Sequence, residues 1–330
     1  MRALVVGEYA PLDRLEISDA PVPEPGEGEV LIRVAAVGLG FVDGLKVQGK
    51  YQTKDPLPFV PGSEIAGVVE AVGPGAGLRT GDRVTANVSR GGLAEYAVAP
   101  AAATEVLPDA VSFAVAAAVR VNYLTALFAL RHRAEARPGE TLLVLGAAGG
   151  TGTAAIAVGR LLGLRVLAGA STEDKRQYAV RAGADEAVDT ADPGWRAALK
   201  ERGLDVDVIF DPVGGALGEE AFRALAWRGR HLVIGFASGD IPSARYNIAL
   251  LKGASLVGVD IAQVQRREPE TWQQMNAQIA TWLASGELNP AIDDLVDLDD
   301  VGEAFRRMAE RRAVGKVVVR VADIDATHRK

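Results

Sequence analysis

Short apolar runs separated by turn residues make up the first third of the chain. The β-prone runs lie at Ala3–Gly7, Val30–Val37, Ile65–Val72, Arg83–Asn87 and Glu95–Val98. Clusters of proline and glycine stand between them, as at Pro21–Gly26 and Gly73–Gly75. Many short strands with this punctuation predict a domain of the β-barrel or sandwich type.

The pattern changes after Pro108 to alternating helices and strands. Two Ala/Leu/Val-rich runs, Val111–Val119 and Leu124–Leu130, predict helices. Six strand-like runs follow at Thr141–Leu145, Arg165–Ala168, Ala187–Val188, Val206–Phe210, His231–Ile234 and Ser255–Val259. Helical patterns separate them at Ala154–Leu162, Asp174–Ala182, Gly194–Glu201, Leu217–Trp227 and Asn247–Leu251. This alternation predicts an α/β fold with a doubly wound parallel sheet of the Rossmann type.

The chain closes with two helical patterns and a strand. Helices are predicted over Glu268–Ala284 and Val301–Arg312, with an acidic loop at Gly286–Asp300 between them. Val314–Arg320 predicts the closing strand, and Ala326–Lys330 a frayed end. A chain of 330 residues is longer than one hydrophobic core usually serves, so two domains are expected.

A glycine-rich turn follows the strand Thr141–Leu145. Gly146, Gly149 and Gly152 precede a helix, and such glycines allow a tight turn, close approach to a pyrophosphate and helix–strand packing. The helix N-terminus then offers N–H groups to phosphates. The spacing departs from the strict G-x-G-x-x-G pattern.

The same stretch allows a membrane-span alternative, because Thr141–Gly159 carries no charge. Its five glycines favour a turn over a continuous helix, so the nucleotide turn is preferred.

Charge and composition exclude several classes of function. A net charge of −7 argues against a nucleic-acid or anionic-membrane partner. There is no cysteine, and His132, His231 and His328 are far apart, so no metal-ligand spacing exists. We therefore expect no catalytic zinc. The N-terminal apolar run is too short for a signal peptide, so a cytoplasmic protein is expected.

The residues after the second strand of the parallel sheet indicate the cofactor. An NAD site usually has Asp or Glu here, but this chain has Gly169–Thr172. Ser171 and Lys175 suit a 2′-phosphate, with Tyr178 one turn further on. NADPH is therefore favoured over NADH, although Lys175 and Arg176 also suit a solvated helix face.

Three segments in fixed order carry a family resemblance. Pro58–Val69, which contains the run Pro-Gly-Ser-Glu, is followed by Gly81–Val84 and Gly92–Tyr96. Together they resemble the GroES-like N-terminal domain of the medium-chain dehydrogenase/reductase superfamily. In its zinc alcohol dehydrogenases the run is P-G-H-E, whereas Ser63 stands here in place of the zinc-binding histidine.

The resemblance narrows to the zinc-free NADPH:quinone oxidoreductase (zeta-crystallin-like) branch. Gly38–Tyr51 is similar to a segment of that branch, as are Val121–Ala126, Phe236–Gly239 and Asn247–Lys252. The branch often has Asn at position 40 and Tyr at position 45, where this chain has Gly40 and Leu45. The resemblance implies a GroES-like catalytic domain of residues 1–118 and 265–330 and an NADP-binding Rossmann domain of residues 119–264.

Site residues follow from the same resemblance. Phe41, Asp43 and Tyr51 are expected at the substrate. Tyr51 suits either a hydroxyl donor or a half-buried structural role, and Asp43 suits structural hydrogen bonding better than acid catalysis. The expected cofactor contacts are Asn122, Thr125, Gly149, Gly150, Thr151, Gly152, Ser171, Lys175, Tyr178, Val213, Phe236 and Lys316.

The implied function is zinc-independent, NADPH-dependent reduction of quinones or related conjugated carbonyls by hydride transfer. Two alternatives remain open: an enoyl-thioester or 2-alkenal reductase, and a weakly catalytic NADPH-binding structural or sensor protein. The substrate is expected to be a small quinone or enone. A homodimer through the apolar edge strand Ser255–Val259 is also expected.

Overall fold

The computed structural model of the protein describes residues 1–324, apart from the side chains at positions 13, 293 and 294. His328 and the predicted frayed end lie outside the described residues. The chain forms two compact units. The first contains Met1–Arg120 and the segment from Ile292 onward, and the second contains Val121–Ala291.

Fifteen strands are found in the described part of the chain: β1 Arg2–Leu4, β2 Ile17–Asp19, β3 Glu29–Gly38, β4 Glu64–Val72, β5 Arg83–Asn87, β6 Tyr96–Pro100, β7 Thr104–Val106, β8 Thr141–Leu145, β9 Arg165–Ala170, β10 Glu186–Asp189, β11 Val206–Asp211, β12 Leu225–Val233, β13 Ser255–Gly258, β14 Ile292–Asp297 and β15 Lys316–Arg320.

Ten α-helices accompany these strands over the same described residues: α1 Phe41–Val47, α2 Phe113–Leu127, α3 Gly150–Leu161, α4 Glu173–Arg181, α5 Trp195–Glu201, α6 Gly215–Phe222, α7 Tyr246–Lys252, α8 Ile261–Arg267, α9 Pro269–Ser285 and α10 Val301–Ala309. A π-helical segment, Phe128–Arg133, continues α2.

The first unit is built around one mixed sheet, which confirms the β-rich N-terminal domain. Its strand order is β14-β15-β3-β4-β5-β7, and β6 pairs with β3. Alternate residues of β3 and β4, such as Ile32 and Ile65, are buried in a core that also contains Phe305 of α10. The closing strand β15 pairs antiparallel with β3, where Val318 lies opposite Gly38.

The second unit contains the predicted doubly wound sheet. Six parallel strands lie in the order β10-β9-β8-β11-β12-β13. The direction of winding reverses between β8 and β11. Ligands of such sheets bind beyond the carboxyl ends of the strands at this switch point, which is where the glycine-rich turn after β8 lies.

Two sequence-based assignments are wrong. The predicted loop Gly286–Asp300 contains β14, which is recognisable only through its pairing with β15, because acidic residues interrupt its apolar pattern. The predicted helix Leu217–Trp227 ends at Phe222, and β12 begins at Leu225, which pairs with Val206 of β11. Sheet pairing here overrides a helix-forming composition.

The second domain boundary also differs from the predicted division at 264/265. Helix α9 buries Trp272, Met275, Ile279 and Trp282. The N–H of Leu288 donates to the carbonyl of Trp282, which ties the following loop to the helix. The contacts of α9 therefore assign residues 265–291 to the second unit.

The membrane-span alternative for Thr141–Gly159 is wrong, because this stretch forms β8, a turn and most of α3. Within the described residues, a different segment, Phe113–Arg133, is long and apolar enough to span a membrane, and most of it is buried in the protein. Core helices of soluble proteins commonly have this character.

Candidate functional site

The turn between β8 and α3 depends on glycine at two positions. Gly146 has a φ of +58°, which L-residues with side chains rarely adopt. A Cβ on Gly152 would lie 2.4 Å from the carbonyl oxygen of Gly146 and 2.7 Å from Cα of Ala147. The first turn of α3 therefore packs directly on the backbone that leads into it, as the sequence predicts for a nucleotide-binding turn.

The N-terminus of α3 has no side-chain cap among the described residues. Its N-cap is Gly149, whose extended backbone turns the chain into the helix. The first N–H groups of a helix have no partner within the helix, and the helix dipole makes this end electropositive. The half-buried backbone at Gly150 and Thr151 is therefore suited to bind phosphate.

Two polar residues of α2 were expected near this turn. The hydroxyl of Thr151 donates to Oδ1 of Asn122 at 3.3 Å, so the structure brings these two residues together. Thr125 differs, because its buried hydroxyl donates at 2.6 Å to the carbonyl of Val121 within its own helix. The hydroxyl of Thr125 is therefore already bonded within its own helix.

The residues expected at a 2′-phosphate lie after β9. Ser171 is exposed, while Lys175 and Tyr178 on α4 are half-buried. The hydroxyl of Thr172 caps α4 by accepting the N–H of Lys175 at 3.4 Å. Because Lys175 and Tyr178 share one face of a helix that starts beside Ser171, the three residues line one end of the sheet.

Sequence reasoning missed the role of Arg176. Asp189, the last residue of β10, is an acid at the same edge of the sheet, and its Oδ2 lies 2.9 Å from Nη1 of Arg176. Arg176 also binds Glu173 at 2.9 Å. Arg176 therefore neutralises the two acids that lie near Ser171. The sequence did contain a signal for this role, namely an acid at the end of the strand that follows α4.

A second turn, between β11 and α6, is held by Asp211. Oδ1 of the buried Asp211 accepts the N–H groups of Val213 and Gly214, both at 2.8 Å. Its Oδ2 lies 2.9 Å from Nε2 of the buried His231 on β12. Gly214 has a φ of +67°. The sequence signalled Val213 but gave no sign that Asp211 and His231 meet.

Val213 and Phe236 both contact the glycine positions of these turns. A Cβ on Gly146 would lie 3.0 Å from Cγ2 of Val213, and a Cβ on Gly214 would lie 2.9 Å from Cδ1 of Phe236. The Phe236 ring is partly exposed. The structure thus brings Gly146, Val213 and Phe236 together at the carboxyl ends of β8, β11 and β12.

In the first unit, Phe41 and Tyr51 are accessible. Phe41 begins α1 with its side chain 45% exposed, and Tyr51 in the following loop is half-buried. Phe41 lines a small apolar crevice whose other walls include Leu12, Leu45, Phe305 and Met308. No hydrogen bond of the Tyr51 hydroxyl is found within the described residues, so this group can bind a ligand.

Asp43 is not accessible, which corrects its assignment to the substrate site. The side chain is 2% exposed, Oδ2 accepts the N–H of Gly40 at 2.8 Å, and Ser63 Oγ lies 3.5 Å from Oδ1. Burial raises the pKa of the carboxyl, against the Gly40 N–H and the charge of Lys316, which act to lower it. Asp43 fixes the start of α1, as the structural interpretation expected.

Lys316 is also placed differently from the prediction. Its Nζ donates at 2.6 Å to Oε2 of Glu64, and both side chains are almost fully buried within the first unit. An ammonium that a buried carboxylate already neutralises offers no charge to a nucleotide. The expectation that Lys316 binds the cofactor is therefore wrong.

The zinc-ligand positions of the resembling dehydrogenases hold other groups here. Ser63 replaces the histidine, and the adjacent Glu64 pairs with Lys316. No group of three or more His, Cys, Asp or Glu residues that could hold a metal occurs in residues 1–324. His132 stacks on Phe128, and His231 binds Asp211.

Comparison with protein-family models supports the two-part architecture. Residues 26–109 match the alcohol dehydrogenase GroES-like domain, and residues 182–319 match the zinc-binding dehydrogenase family. The first match covers five of the nine described strands of the first unit, and the second covers four of the six strands of the parallel sheet together with the C-terminal return.

Relatives that match over nearly the whole chain support the same family assignment. Quinone oxidoreductase-like protein 2 of Bos taurus is 35% identical over 319 residues, covering 94% of this chain and 90% of the relative. The quinone oxidoreductase of Homo sapiens is 34% identical and covers 97% of both chains. A solved quinone oxidoreductase of Thermus thermophilus, described with its NADPH complex, is 38% identical with a TM-score of 0.85, covering 97% of this chain and all of that one. The chain belongs to the medium-chain dehydrogenase/reductase superfamily, in its quinone oxidoreductase branch.

Proposed function

We propose that this protein is an NADPH-dependent reductase of quinones or related conjugated carbonyls that works without zinc. The observation that carries this proposal is the uncapped, glycine-dependent N-terminus of α3 at the switch point of a doubly wound sheet. A pyrophosphate fits there, because Gly152 leaves room for the tight turn and the helix offers free N–H groups. When bound, NADPH supplies the hydride.

NADPH is preferred over NADH because the position after β9 lacks an acid. Ser171 and Lys175 can bind a 2′-phosphate, and Arg176 holds the nearby Asp189 in an ion pair. The relatives include quinone oxidoreductases whose structures are described with NADPH, in Thermus thermophilus and Escherichia coli. These relationships support the same cofactor here.

Zinc independence is supported by the donor set of the first unit. The sequence contains no cysteine. Ser63 is a poor zinc ligand compared with histidine, and Glu64 is neutralised by Lys316. A reaction that needs a metal to polarise an alcohol or ketone lacks its ligands here. Reduction of an electron-poor acceptor instead needs orientation and exclusion of water.

The accessible side chains of the first unit suit a flat, apolar acceptor. Phe41 offers an exposed ring for stacking, and Tyr51 a hydroxyl that can donate to the acceptor oxygen as negative charge develops there. The proton then comes from this hydroxyl or from solvent. Asp43 has no part in this step beyond fixing the start of α1.

Two alternatives differ in their observable behaviour. An enoyl-thioester or 2-alkenal reductase would use the same cofactor site with a different acceptor. A weakly catalytic NADPH-binding protein is favoured by Gly40 and Leu45, which replace residues that are often Asn and Tyr in the branch. Both retain NADPH binding, so only the turnover of acceptors separates them.

We also propose a homodimer through β13. This strand is at one edge of the parallel sheet, and Leu256 on it is 55% exposed. Trp227 and Leu251 nearby in the same unit are 70% and 73% exposed. A bare apolar edge favours pairing with a second copy. A wild-type protein that sediments as a monomer at micromolar concentration would contradict the dimer, and Leu256→Asp should dissociate it.

The test of the proposed activity is oxidation of NADPH, followed by the nicotinamide absorbance, with a benzoquinone, a naphthoquinone and a short enone offered in parallel. Turnover of the quinones with a preference for NADPH over NADH is expected. Turnover of the enone alone would favour the alkenal reductase. NADPH binding without oxidation of any acceptor would favour the non-catalytic alternative.

The role of Tyr51 is tested by Tyr51→Phe. Loss of a hydrogen bond that forms as charge develops should lower kcat by about tenfold with little change in NADPH affinity. Tyr9→Phe is the matched control, because the Tyr9 hydroxyl donates at 2.7 Å to the carbonyl of Asp55 in the same unit and has no proposed part in catalysis.

A further inference from the structure

A polar pair is buried in the middle of an apolar parallel sheet. His231 lies on β12 between Ile209 of β11 and Leu256 of β13. Both His231 and its partner Asp211 are 3% exposed. A well-packed apolar pair usually stabilises such a position at least as well as a buried polar one. The pair therefore calls for an explanation other than stability.

The hydrogen bonds of Asp211 define what the pair holds. One carboxylate oxygen accepts the N–H groups of Val213 and Gly214, and the other lies against His231. A Cβ on Gly218 would lie 2.5 Å from Oδ2, so helix α6 closes over the carboxylate from a further side. The carboxylate is thus fixed on both oxygens, and the turn geometry follows from its position.

The hydrogen bonding of His231 is confined to one ring nitrogen. A carboxylate oxygen accepts hydrogen bonds, so Nε2 of His231 is the donor to Oδ2 of Asp211. Nδ1 is buried, with no hydrogen-bond partner within the described residues. Nε2 is therefore the atom through which the imidazole holds Asp211.

The turn that this pair fixes forms part of the nucleotide site. Val213 lies against Gly146 of the phosphate-binding turn, and Gly214 lies against the Phe236 ring. The carbonyls of Pro212 and Val213 accept the N–H groups of Ala237 and Ser238 at 3.0 and 2.9 Å. Displacement of the turn Pro212–Gly215 would therefore move Val213 and Phe236, which lie beside the glycine-rich turn after β8.

We propose that His231 is a positioning residue for the cofactor, acting through Asp211 on the turn Pro212–Gly215. This inference rests on the proposed NADPH-dependent function. The hydrogen bond from Nε2 keeps Asp211 in the rotamer that binds Val213 and Gly214. Without it, only the N–H groups of Val213 and Gly214 hold the carboxylate, and the turn is less firmly fixed against Gly146.

The expected effect is on NADPH rather than on the acceptor. His231→Leu should weaken NADPH binding by about tenfold, the equivalent of one net hydrogen bond. The KM for the acceptor should change little, because the turn Pro212–Gly215 contacts residues around the glycine-rich turn after β8, where NADPH is proposed to bind. A purely structural role would instead lower the unfolding midpoint and leave the NADPH Kd of the folded protein unchanged.

Two amide variants make the test independent of stability. His231→Gln can place an N–H near the position of Nε2, whereas His231→Asn places it near the position of Nδ1, which faces away from Asp211. We expect His231→Gln to restore NADPH affinity to within about threefold of wild type and His231→Asn not to do so. If His231→Leu does not fold, this pair decides the question.

The experiment measures the NADPH Kd by quenching of intrinsic fluorescence and the unfolding midpoint for the wild type and each variant. Leu199→Ala is the matched control, since Leu199 is buried in the hydrophobic core of the same unit and lies on α5, outside the turn that Asp211 holds. It should lower the midpoint without changing the Kd. Equal Kd values for wild type, His231→Asn and His231→Leu would overturn the inference alone, whereas wild-type protein that does not bind NADPH would overturn the proposed function as well.

Discussion

The two glycine-bearing turns of the second unit begin alike and end differently. The turn from β8 into α3 and the turn from β11 into α6 both follow central strands of the parallel sheet and both use a glycine at positive φ. Within the described residues, neither α3 nor α6 has a side-chain cap at its N-terminus. Just before α6, however, the carboxylate of Asp211 accepts the N–H groups of Val213 and Gly214, whereas among these residues no such carboxylate holds the turn before α3.

The difference shows how one supersecondary unit serves two purposes. A helix N-terminus attracts an anion wherever it lies. Before α6, the carboxylate of Asp211 binds the backbone of the turn and is itself held by His231, so this turn becomes a rigid wall. At α3 the electropositive end is left for a ligand. The sharpest tests therefore alter one turn at a time.

The largest effect is expected when a side chain is added in the turn from β8 into α3. Gly152→Ala places a methyl group 2.4 Å from a backbone oxygen, which should lower the free energy of unfolding by about 3 kcal/mol and abolish NADPH binding. Gly149→Ala is the matched control. Its Cβ would meet only the Gly146 oxygen at 3.5 Å, so a change within about 0.5 kcal/mol is expected. Chemical denaturation measures both, and equal effects would contradict the close-packing argument.

A smaller loss of unfolding free energy is expected in the turn from β11 into α6. Asp211→Asn keeps an oxygen for Val213 and Gly214 but turns an NH2 group toward His231. The histidine must then move its proton to Nδ1, where it has no partner, so we expect a loss of about 2 kcal/mol in unfolding free energy. A nuclear magnetic resonance spectrum that still shows the Nε2–H tautomer in this variant would contradict the account.

The third test concerns the segment that follows β9, where Thr172 caps helix α4. Lys175→Gln should weaken NADPH by about tenfold and leave NADH unchanged, because only NADPH carries the 2′-phosphate that the ammonium binds. Lys200→Gln, on the exposed end of α5, is the control for a general loss of positive charge. A parallel loss of NADH affinity would assign Lys175 to the helix face instead.

The smallest effect is expected at the opposite ends of the same strands. Glu140, just before β8, binds Arg230 of β12 through two hydrogen bonds of 3.0 and 2.6 Å. Burial acts to raise the pKa of Glu140, but the hydrogen bonds and charge of Arg230 outweigh it and hold the pKa below 4.5. A lowered folded-state pKa gives stability that is present above pH 4.5 and lost as the pH falls through the folded value.

Glu140→Gln should therefore cost about 1 kcal/mol at neutral pH and progressively less below pH 4.5. Unfolding midpoints measured across this range test the prediction. A difference from wild type that stays constant down to the most acidic pH would assign the effect to packing rather than to charge.

The sequence predicts elements well where the pattern is local. Thr141–Leu145 and Arg83–Asn87 have the same bounds in the structure as in the prediction, because a short apolar or β-branched run between turn residues has few alternatives. It fails where pairing partners are distant. β14 needs β15, and Leu225 needs Val206, before either segment is recognisable as a strand.

The candidate site shows the same division. The glycine positions and Ser171 follow from chain-local spacing, whereas the roles of Lys316 and Asp43 depend on partners that fold next to them. Lys316 and Glu64 are 252 residues apart in the chain. No local pattern could show that this lysine would be buried, and the family resemblance suggested a ligand contact instead. The pairing of Asp211 with His231 was missed for the same reason.

The discontinuous first unit has a consequence for biosynthesis. Glu64 lies in an early strand, yet its partner Lys316 and the strand β15 follow 252 residues later in the chain. A buried carboxylate without its cation is unfavourable, so the first unit cannot complete its sheet until β15 has been synthesised. By then every strand of the parallel sheet, of which β13 is the last in the chain, has already been synthesised. The second unit can therefore complete its sheet before the first, although the first unit begins earlier in the chain.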